Sequence, residues 1–146
     1  MEISYGHIDG IKIGQIFETR QALIDAGMHP HREAGIWGSS KNAACSIVLS
    51  GGYEDDLDEL DFVLYTGHGG QKNKVQVADQ DFSAKRGWGN KGLVISYESN
   101  LPVRVIRGYQ IDNGPISGYR YDGLYYVEKY ERVRGKSGYF VCRFYL

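Results

Sequence analysis

Two cysteines and three prolines are all that the 146 residues contain. Two thiols cannot build the multi-bridge framework of small secreted domains. Cys45 and Cys142 each fall in an apolar, strand-like run, so both read as reduced, buried side chains. No apolar run approaches the roughly 20 residues that cross a bilayer, and "MEISYGHIDG" has neither the basic start nor the apolar stretch of a secretory signal. The expectation is a cytoplasmic protein with no membrane partner. Four histidines occur without any Cys-x-x-Cys or His-Glu-x-x-His spacing, which argues against a zinc site and a zinc hydrolase. His7 and Asp9 have no second histidine and carboxylate cluster to complete a nuclease site. The run "YEDDLDELD" at 53–61 lacks the alternating Asp/Asn and Gly of a calcium loop. No metal, cofactor or catalytic residue is expected.

Glycine and tyrosine are abundant, at 20 and 12 residues. Glycine supplies turns and bulges, and tyrosine suits half-buried pleated surfaces. Seven apolar or alternating runs read as strands: 11–17, 45–50, 62–67, 92–97, 102–111, 123–133 and 138–146. One short helix is expected over "TRQALIDAG", with Thr19 as its cap and Gly27 as its stop. The fold class is therefore β-rich α+β: residues 1–146 form a single domain, a twisted, curved β-barrel, mainly antiparallel, with a few short flanking helices.

The net charge of −1 hides an asymmetry. Residues 1–66 carry four Lys/Arg against eleven Asp/Glu, and residues 67–146 carry thirteen against seven. Such polarity places a basic face on a nearly neutral protein. Two connecting segments, 28–42 and 67–92, are longer and more polar than strand joints require. Long loops on a compact body are where binding groups usually stand. His31, Arg32 and Lys41 lie in the first loop; Lys72, Lys74, Lys85, Arg86 and Lys91 lie in the second.

Between these loops stand Tyr53, Asp56 and Tyr65. Two aromatic faces clamp a planar base, at about 1–3 kcal/mol per stacked base. A carboxylate only accepts hydrogen bonds, so it suits the exocyclic amine of cytosine or adenine and repels the carbonyl of thymine. Gly51 and Gly52 leave backbone N–H groups open to the remaining acceptors. The same residues also suit a hairpin with two cross-strand tyrosines.

The blocks "AGIWGSSKNAACSIVLSGGYEDDLDELDFVLYTGHGG", "LPVRVIRG", "RYDGLYYVEKY" and "GKSGYFVCRFYL" resemble the SRA, or YDG, domain family, whose Tyr-Asp-Gly appears at Tyr121, Asp122 and Gly123. The resemblance spans residues 6–146. It implies a reader of modified cytosine in double-stranded DNA that flips the base into a pocket. By position, Tyr53 and Tyr65 match the stacking pair and Asp56 the carboxylate that receives the amine. The backbone around Ser50, Gly51 and Gly52 and the carbonyl of Thr66 match the groups that hold the base edge. The loops match the segments that approach DNA from its two grooves, here His31, Arg32, Glu33, Ser39, Ser40, Lys41 and Asn42 in the first, and Lys72, Asn73, Lys74, Lys85 and Arg86 in the second.

Three positions depart from the family pattern. The second loop is short between Gly70 and Asp79, so residues that read the opposite strand of a CpG site have no counterpart. Glu33 occupies the position from which relatives fill the space left by the flipped base. His68 stands where relatives carry a small residue beside the cytosine C5 substituent, which brings 5-hydroxymethylcytosine into range beside 5-methylcytosine. Burying one methyl is worth only about 0.8 kcal/mol, roughly fourfold, so modest preference is the physical default. The short second loop resembles bacterial, nucleoid-associated members that precede an HNH endonuclease in restriction of modified DNA. A fused nuclease and a homodimer of the full-length protein follow as expectations. Two other classes remain: a base-flipping deaminase or glycosylase with Asp56 as general base, and an RNA-binding barrel.

Overall fold

A computed structural model describes residues 2–51, 53–83 and 88–146. Its elements run in the order β1 (Ile16–Phe17), α1 (Arg20–Asp25), β2 (Ile36–Trp37), β3 (Ser46–Leu49), β4 (Leu57–Asp58), β5 (Val63–Thr66), β6 (Gln71–Lys72) and β7 (Val75–Gln76). There follow α2 (Trp88–Ser99), β8 (Val103–Gly108), β9 (Tyr119–Tyr125), β10 (Lys129–Arg134) and β11 (Phe140–Tyr145). A five-stranded sheet has the order β1-β9-β8-β3-β2, a four-stranded sheet the order β10-β11-β5-β4, and β6 and β7 form a separate hairpin.

The helix at the N-terminal end is as its sequence predicts. Thr19 is its N-cap and accepts from Ala22 N, and Gly27 takes the left-handed conformation at φ +74°. Four expectations need correction. The run at 92–97 is not a strand but the body of α2, and the loop at 67–92 contains the β6–β7 hairpin and the first turn of that helix. The reason is topological. β3 and β8 pair in parallel, through registers such as Ile47↔Val105, and parallel neighbours need a crossover, which α2 supplies. Its seat is fixed by polar contacts: Ala44 N donates to Gly92 O at 2.9 Å and Ser96 Oγ to Ala44 O at 2.8 Å. The run at 11–17 keeps only Ile16 and Phe17 in a sheet, and the run at 123–133 breaks at Tyr126–Glu128 into β9 and β10.

All six residues of β8 and all four of β3 are buried, as strands covered on both faces must be. One core lies between the sheets and α2, around Ile47, Val63, Leu93, Val105 and Phe144. A second lies beneath α1, around Leu23, Met28, Val48, Ile106 and Tyr121. Each buried aliphatic side chain is worth about 1.5–3 kcal/mol, enough to override the local strand preference of the apolar run in α2. Cys45 and Cys142 are free and buried. Burial pushes the Cys142 thiol up to about 12.

The two largest fully buried side chains among the described residues are arginines. Arg104, fully buried in β8, donates to the carbonyls of Ser4 and Gly6 at 2.9 Å and lies over the Trp37 ring. Arg107 donates to both Asp58 oxygens at 2.7 Å and to Asp122 at 2.9 Å. Arg107 thereby ties β4 of the smaller sheet to β8 and β9 of the larger. Asp122 is the middle residue of Tyr-Asp-Gly. Its neighbour Tyr121 shares a 2.7 Å hydrogen bond with His7 Nδ1, so this signature works in the framework joining the two sheets.

Candidate nucleic-acid interface

The acidic run after β3 is distributed residue by residue. Glu54 accepts from Gln76 N and from Ser137 Oγ. Asp55 is buried and accepts from Lys136 N at 3.0 Å, capping the β10–β11 turn. Asp56 Oδ1 accepts from Thr66 N at 2.8 Å, and Asp58 holds Arg107. Asp58 is therefore an ion-paired carboxylate. Burial pushes its carboxyl up, but the Arg107 hydrogen bonds more than offset this and hold it below the usual carboxylate range.

The turn that presents Asp56 closes with Asp56 N donating to Tyr53 O at 3.0 Å, and β4 then pairs with β5 through Leu57↔Leu64. Asp56 thus sits beside Tyr65 and Thr66 because the hairpin register requires it. Its surroundings are poor in solvent. Burial pushes the carboxyl up to about 6, against the opposing Thr66 hydrogen bond and with a smaller push from Asp55 and Asp58. Burial likewise raises the Tyr53 hydroxyl, with the Asp56 charge adding to it, and raises Tyr65 further for the same two reasons. Tyr53 is half-buried and its ring folds over Gly51, whereas Tyr65 is only 4% exposed and belongs to the core. Thr66 is buried, and its Oγ1 has no hydrogen-bond partner among the described residues. Tyr53 and Asp56 also border a cavity of about 330 Å³ whose other wall includes Gln110 and Asn113. Ser50 and Gly51 adjoin Tyr53 at the end of β3; Gly52 lies outside the described residues.

Beyond Thr66 the chain is held by buried amides, which the sequence reading missed. Gln80 Nε2 donates to Gly67 O at 2.7 Å while its Oε1 accepts from Cys142 N. Asn90, in the first turn of α2, accepts from His68 N at 2.8 Å and donates to His68 O at 3.1 Å. A Cβ at position 67 would collide with Asn90 Oδ1, so only glycine fits there. His68 Nε2 accepts from Gly89 N at 3.3 Å, and its ring meets Trp88 edge-on at 4.7 Å. Burial lowers the His68 pKa, and His31 adds to this. The neutral ring therefore carries its proton on Nδ1. A buried glutamine or asparagine among polar residues has no sequence period, which is why Gln80 and Asn90 gave no signal.

The first loop is fixed through its carbonyls. Arg20, from α1, donates to the carbonyls of His31, Glu33 and Ala34, and His29 bridges Ala34 O at 2.8 Å and Ser46 Oγ at 2.7 Å. His29 is fully buried, and burial lowers its pKa to about 3, so it stays neutral. Arg20 and His29 were also missed. Arg32 donates to Gln21 Oε1, and Arg32 and Glu33 are exposed; His31 lies edge-on to Trp88 at 5.9 Å. Ser39 Oγ accepts from Lys41 N and Asn42 N, so Ser39–Asn42 is a self-closed turn with Lys41 and Asn42 exposed. Ser40 is half-buried in it.

The second loop carries two of its cations, Lys72 and Lys74, on the β6–β7 hairpin, and a third, Lys91, in α2. Asn73 and Lys74 both have positive φ, 52° and 67°, the two-residue turn whose twist suits a hairpin. Lys72, Asn73 and Lys74 are exposed. Lys85 and Arg86 lie outside the described residues. The structure thus gathers Tyr53, Asp56, Tyr65, Thr66 and His68 on one contiguous stretch of turn, β5 and loop. The hairpin stands beside them through Glu54.

Among the described residues no group of three or more His, Cys, Asp or Glu is placed to hold a metal ion, and no helix is long and apolar enough to cross a membrane. Residues 4–146 match the family model of the SAD/SRA domain. Rat E3 ubiquitin-protein ligase UHRF1 is 36% identical over 97% of this chain, which covers 21% of that protein. The Arabidopsis thaliana H3 lysine-9 methyltransferase SUVH6 is 40% identical over 97% of the chain, which covers 19% of it. The modification-dependent TagI restriction endonuclease superposes with a TM-score of 0.89 at 45% identity, over 97% of this chain and 50% of its own. The SUVH5 SRA domain bound to fully hydroxymethylated CG DNA superposes with a TM-score of 0.81 at 36% identity, over 98% and 92%. The chain therefore spans about a fifth of the length of these two curated relatives, and it belongs to the SAD/SRA domain family.

Proposed function

We propose that this domain reads modified cytosine in double-stranded DNA, taking 5-methylcytosine or 5-hydroxymethylcytosine flipped from the duplex against Tyr53, Tyr65 and Asp56. The observation that carries this is Asp56 itself. Its Oδ1 is held by Thr66 N and its carboxylate is flanked by two tyrosines in a desolvated turn, so the group offered to a base is an oriented acceptor. Such an acceptor selects an exocyclic amine and rejects the thymine carbonyl. The likeness to a domain solved with hydroxymethylated DNA supports the same reading. The domain has no catalytic activity of its own in this reading. It serves as the recognition part of a modification-dependent restriction endonuclease, with a fused HNH nuclease supplying cleavage and the full-length protein a homodimer in the cytoplasm; the likeness to TagI supports this assignment.

The test is titration of matched duplexes carrying cytosine, methylcytosine or hydroxymethylcytosine at one site, against wild type and Asp56→Ala. Modification preference should largely vanish in the variant while salt-dependent background binding survives. An unchanged preference in folded Asp56→Ala would remove the pocket assignment.

A further inference from the structure

Three cations of the basic C-terminal half, none of them a member of the two loops, converge. Arg134 at the end of β10, Lys136 in the following turn and Arg143 in β11 line a cleft of about 430 Å³ whose facing wall includes Asp55 and Asp56. Arg143 is the unusual member. Its side chain is 24% exposed, yet its acidic neighbours stand at the limit of ion pairing, 3.9 Å to Asp55 and 4.0 Å to Glu131. Both acids have closer partners, Lys136 N for Asp55 and the Tyr145 hydroxyl for Glu131. Arg143 Nε is buried with no hydrogen-bond partner among the described residues. A guanidinium that has lost water at Nε and gained only long contacts is under-satisfied, and its planar fork matches a tetrahedral oxyanion. The cleft also adjoins the second loop: Glu54 accepts from Ser137 Oγ in the β10–β11 turn and from Gln76 N in the hairpin that carries Lys72 and Lys74.

We propose that this cleft is a phosphate site, formed by Arg143, Arg134 and Lys136, that takes a backbone phosphate of the duplex whose modified base enters beside Asp56. The assignment of the phosphate to DNA rests on the reading of modified DNA above. Such a contact positions the duplex and carries no information about the base.

Arg143→Gln and Lys136→Gln test it, each first checked for an intact thermal transition. The Lys136 side chain is exposed and only its backbone N–H caps Asp55, so Lys136→Gln keeps the test open if Arg143→Gln folds poorly. Affinities for methylated and unmodified duplexes are measured across a range of salt. The expected result is a plot of log Kd against log salt shallower by about 0.9 per lost contact, equally on both duplexes, with the modification ratio unchanged. A duplex bearing one neutral methylphosphonate at the contacted position should weaken wild type but not Arg143→Gln. Unchanged slopes in folded variants overturn the site, as does a loss confined to the modification ratio. Inorganic phosphate at matched ionic strength covers the other source: stabilisation of wild type but not Arg143→Gln, with DNA slopes unchanged, overturns the DNA assignment. Absence of modification preference in wild type sinks the proposed function instead, and the slopes on unmodified duplex still decide the cleft.

Discussion

At Asp56 two pH dependences of opposite sign meet. Its folded pKa, about 6, lies above the ordinary aspartate value of 3.8, so folding favours the neutral form. The stability this provides is fully present below pH 3.8 and is lost as pH rises through 6. Leaving the carboxylate ionised in place costs on the order of 3 kcal/mol. Binding a cytosine amine needs the ionised acceptor, so affinity for modified DNA should rise over the same interval, by up to about tenfold per pH unit below 6. Asp56→Asn can still accept from Thr66 N and should flatten both profiles. Thermal melts of the free domain and titrations of methylated duplex between pH 5 and 8 check this. A wild-type melting temperature that climbs from pH 5 to 7 while Asp56→Asn stays flat would contradict the sign. The sequence singles out Asp56 because its type and its place between two tyrosines carry chemistry. Asp58 has the same side chain in the same acidic run, but its partner is Arg107, a residue 49 positions away that no local pattern reveals.

At the scale of elements, the β6–β7 hairpin separates stability from binding. Lys74 takes φ +67° at a turn position where glycine is at ease, so in Lys74→Gly the relief of about 1–2 kcal/mol of left-handed strain is set against glycine's entropic cost of about 0.5–1 kcal/mol, and the fold should be as stable or slightly more so. If Lys74 meets a phosphate, the same change should make the salt dependence of DNA binding shallower by about 0.9. Urea unfolding and titrations across salt read the two effects separately, and loss of both together would show a hairpin that needs Lys74 to fold. Asn90 joins elements in a different way. It holds both backbone groups of His68 and the carbonyl of Asp81 from the start of α2. Asn90→Ala should cost about 2–3 kcal/mol and speed amide hydrogen exchange at His68, because buried polar backbone is left unpaired. The strands with alternating or continuous apolar pattern were legible, as was α1 through its cap and its glycine stop. The α2 helix was not, because a six-residue apolar run fits either state, and the parallel β3–β8 pairing that demands a helical crossover is a non-local fact.

Across the whole molecule, the charge asymmetry of the sequence divides into two populations. Of the thirteen cations after residue 66, Arg104 and Arg107 are buried and spent on joining parts of the fold. Lys72 and Lys74 on the hairpin and Lys136 in the turn after β10 are exposed. Arg107 bears the larger structural role. It spans both sheets through Asp58 and Asp122, and β4, which it anchors, begins one residue after Asp56. Arg107→Met strands two carboxylates in partly buried positions, a change that typically costs about 3–5 kcal/mol. Asp58→Asn keeps one acceptor and should cost less. The Asp58 pKa is held below its ordinary value, so the stability it contributes is present above pH 3.8 and is lost as pH falls through the folded pKa. Acid therefore removes the clamp between the sheets while relieving Asp56, and urea unfolding from pH 3 to 7 should show the acid-side loss in wild type and not in Asp58→Asn. Because the clamp sets where β4 begins, partial loss of it should blur the placement of Asp56 before the domain unfolds. Asp58→Asn should then weaken the preference for modified over plain cytosine while leaving the salt dependence of binding intact. An Asp58→Asn variant with full preference and only reduced stability would show that the pocket is held by the β4–β5 pairing alone.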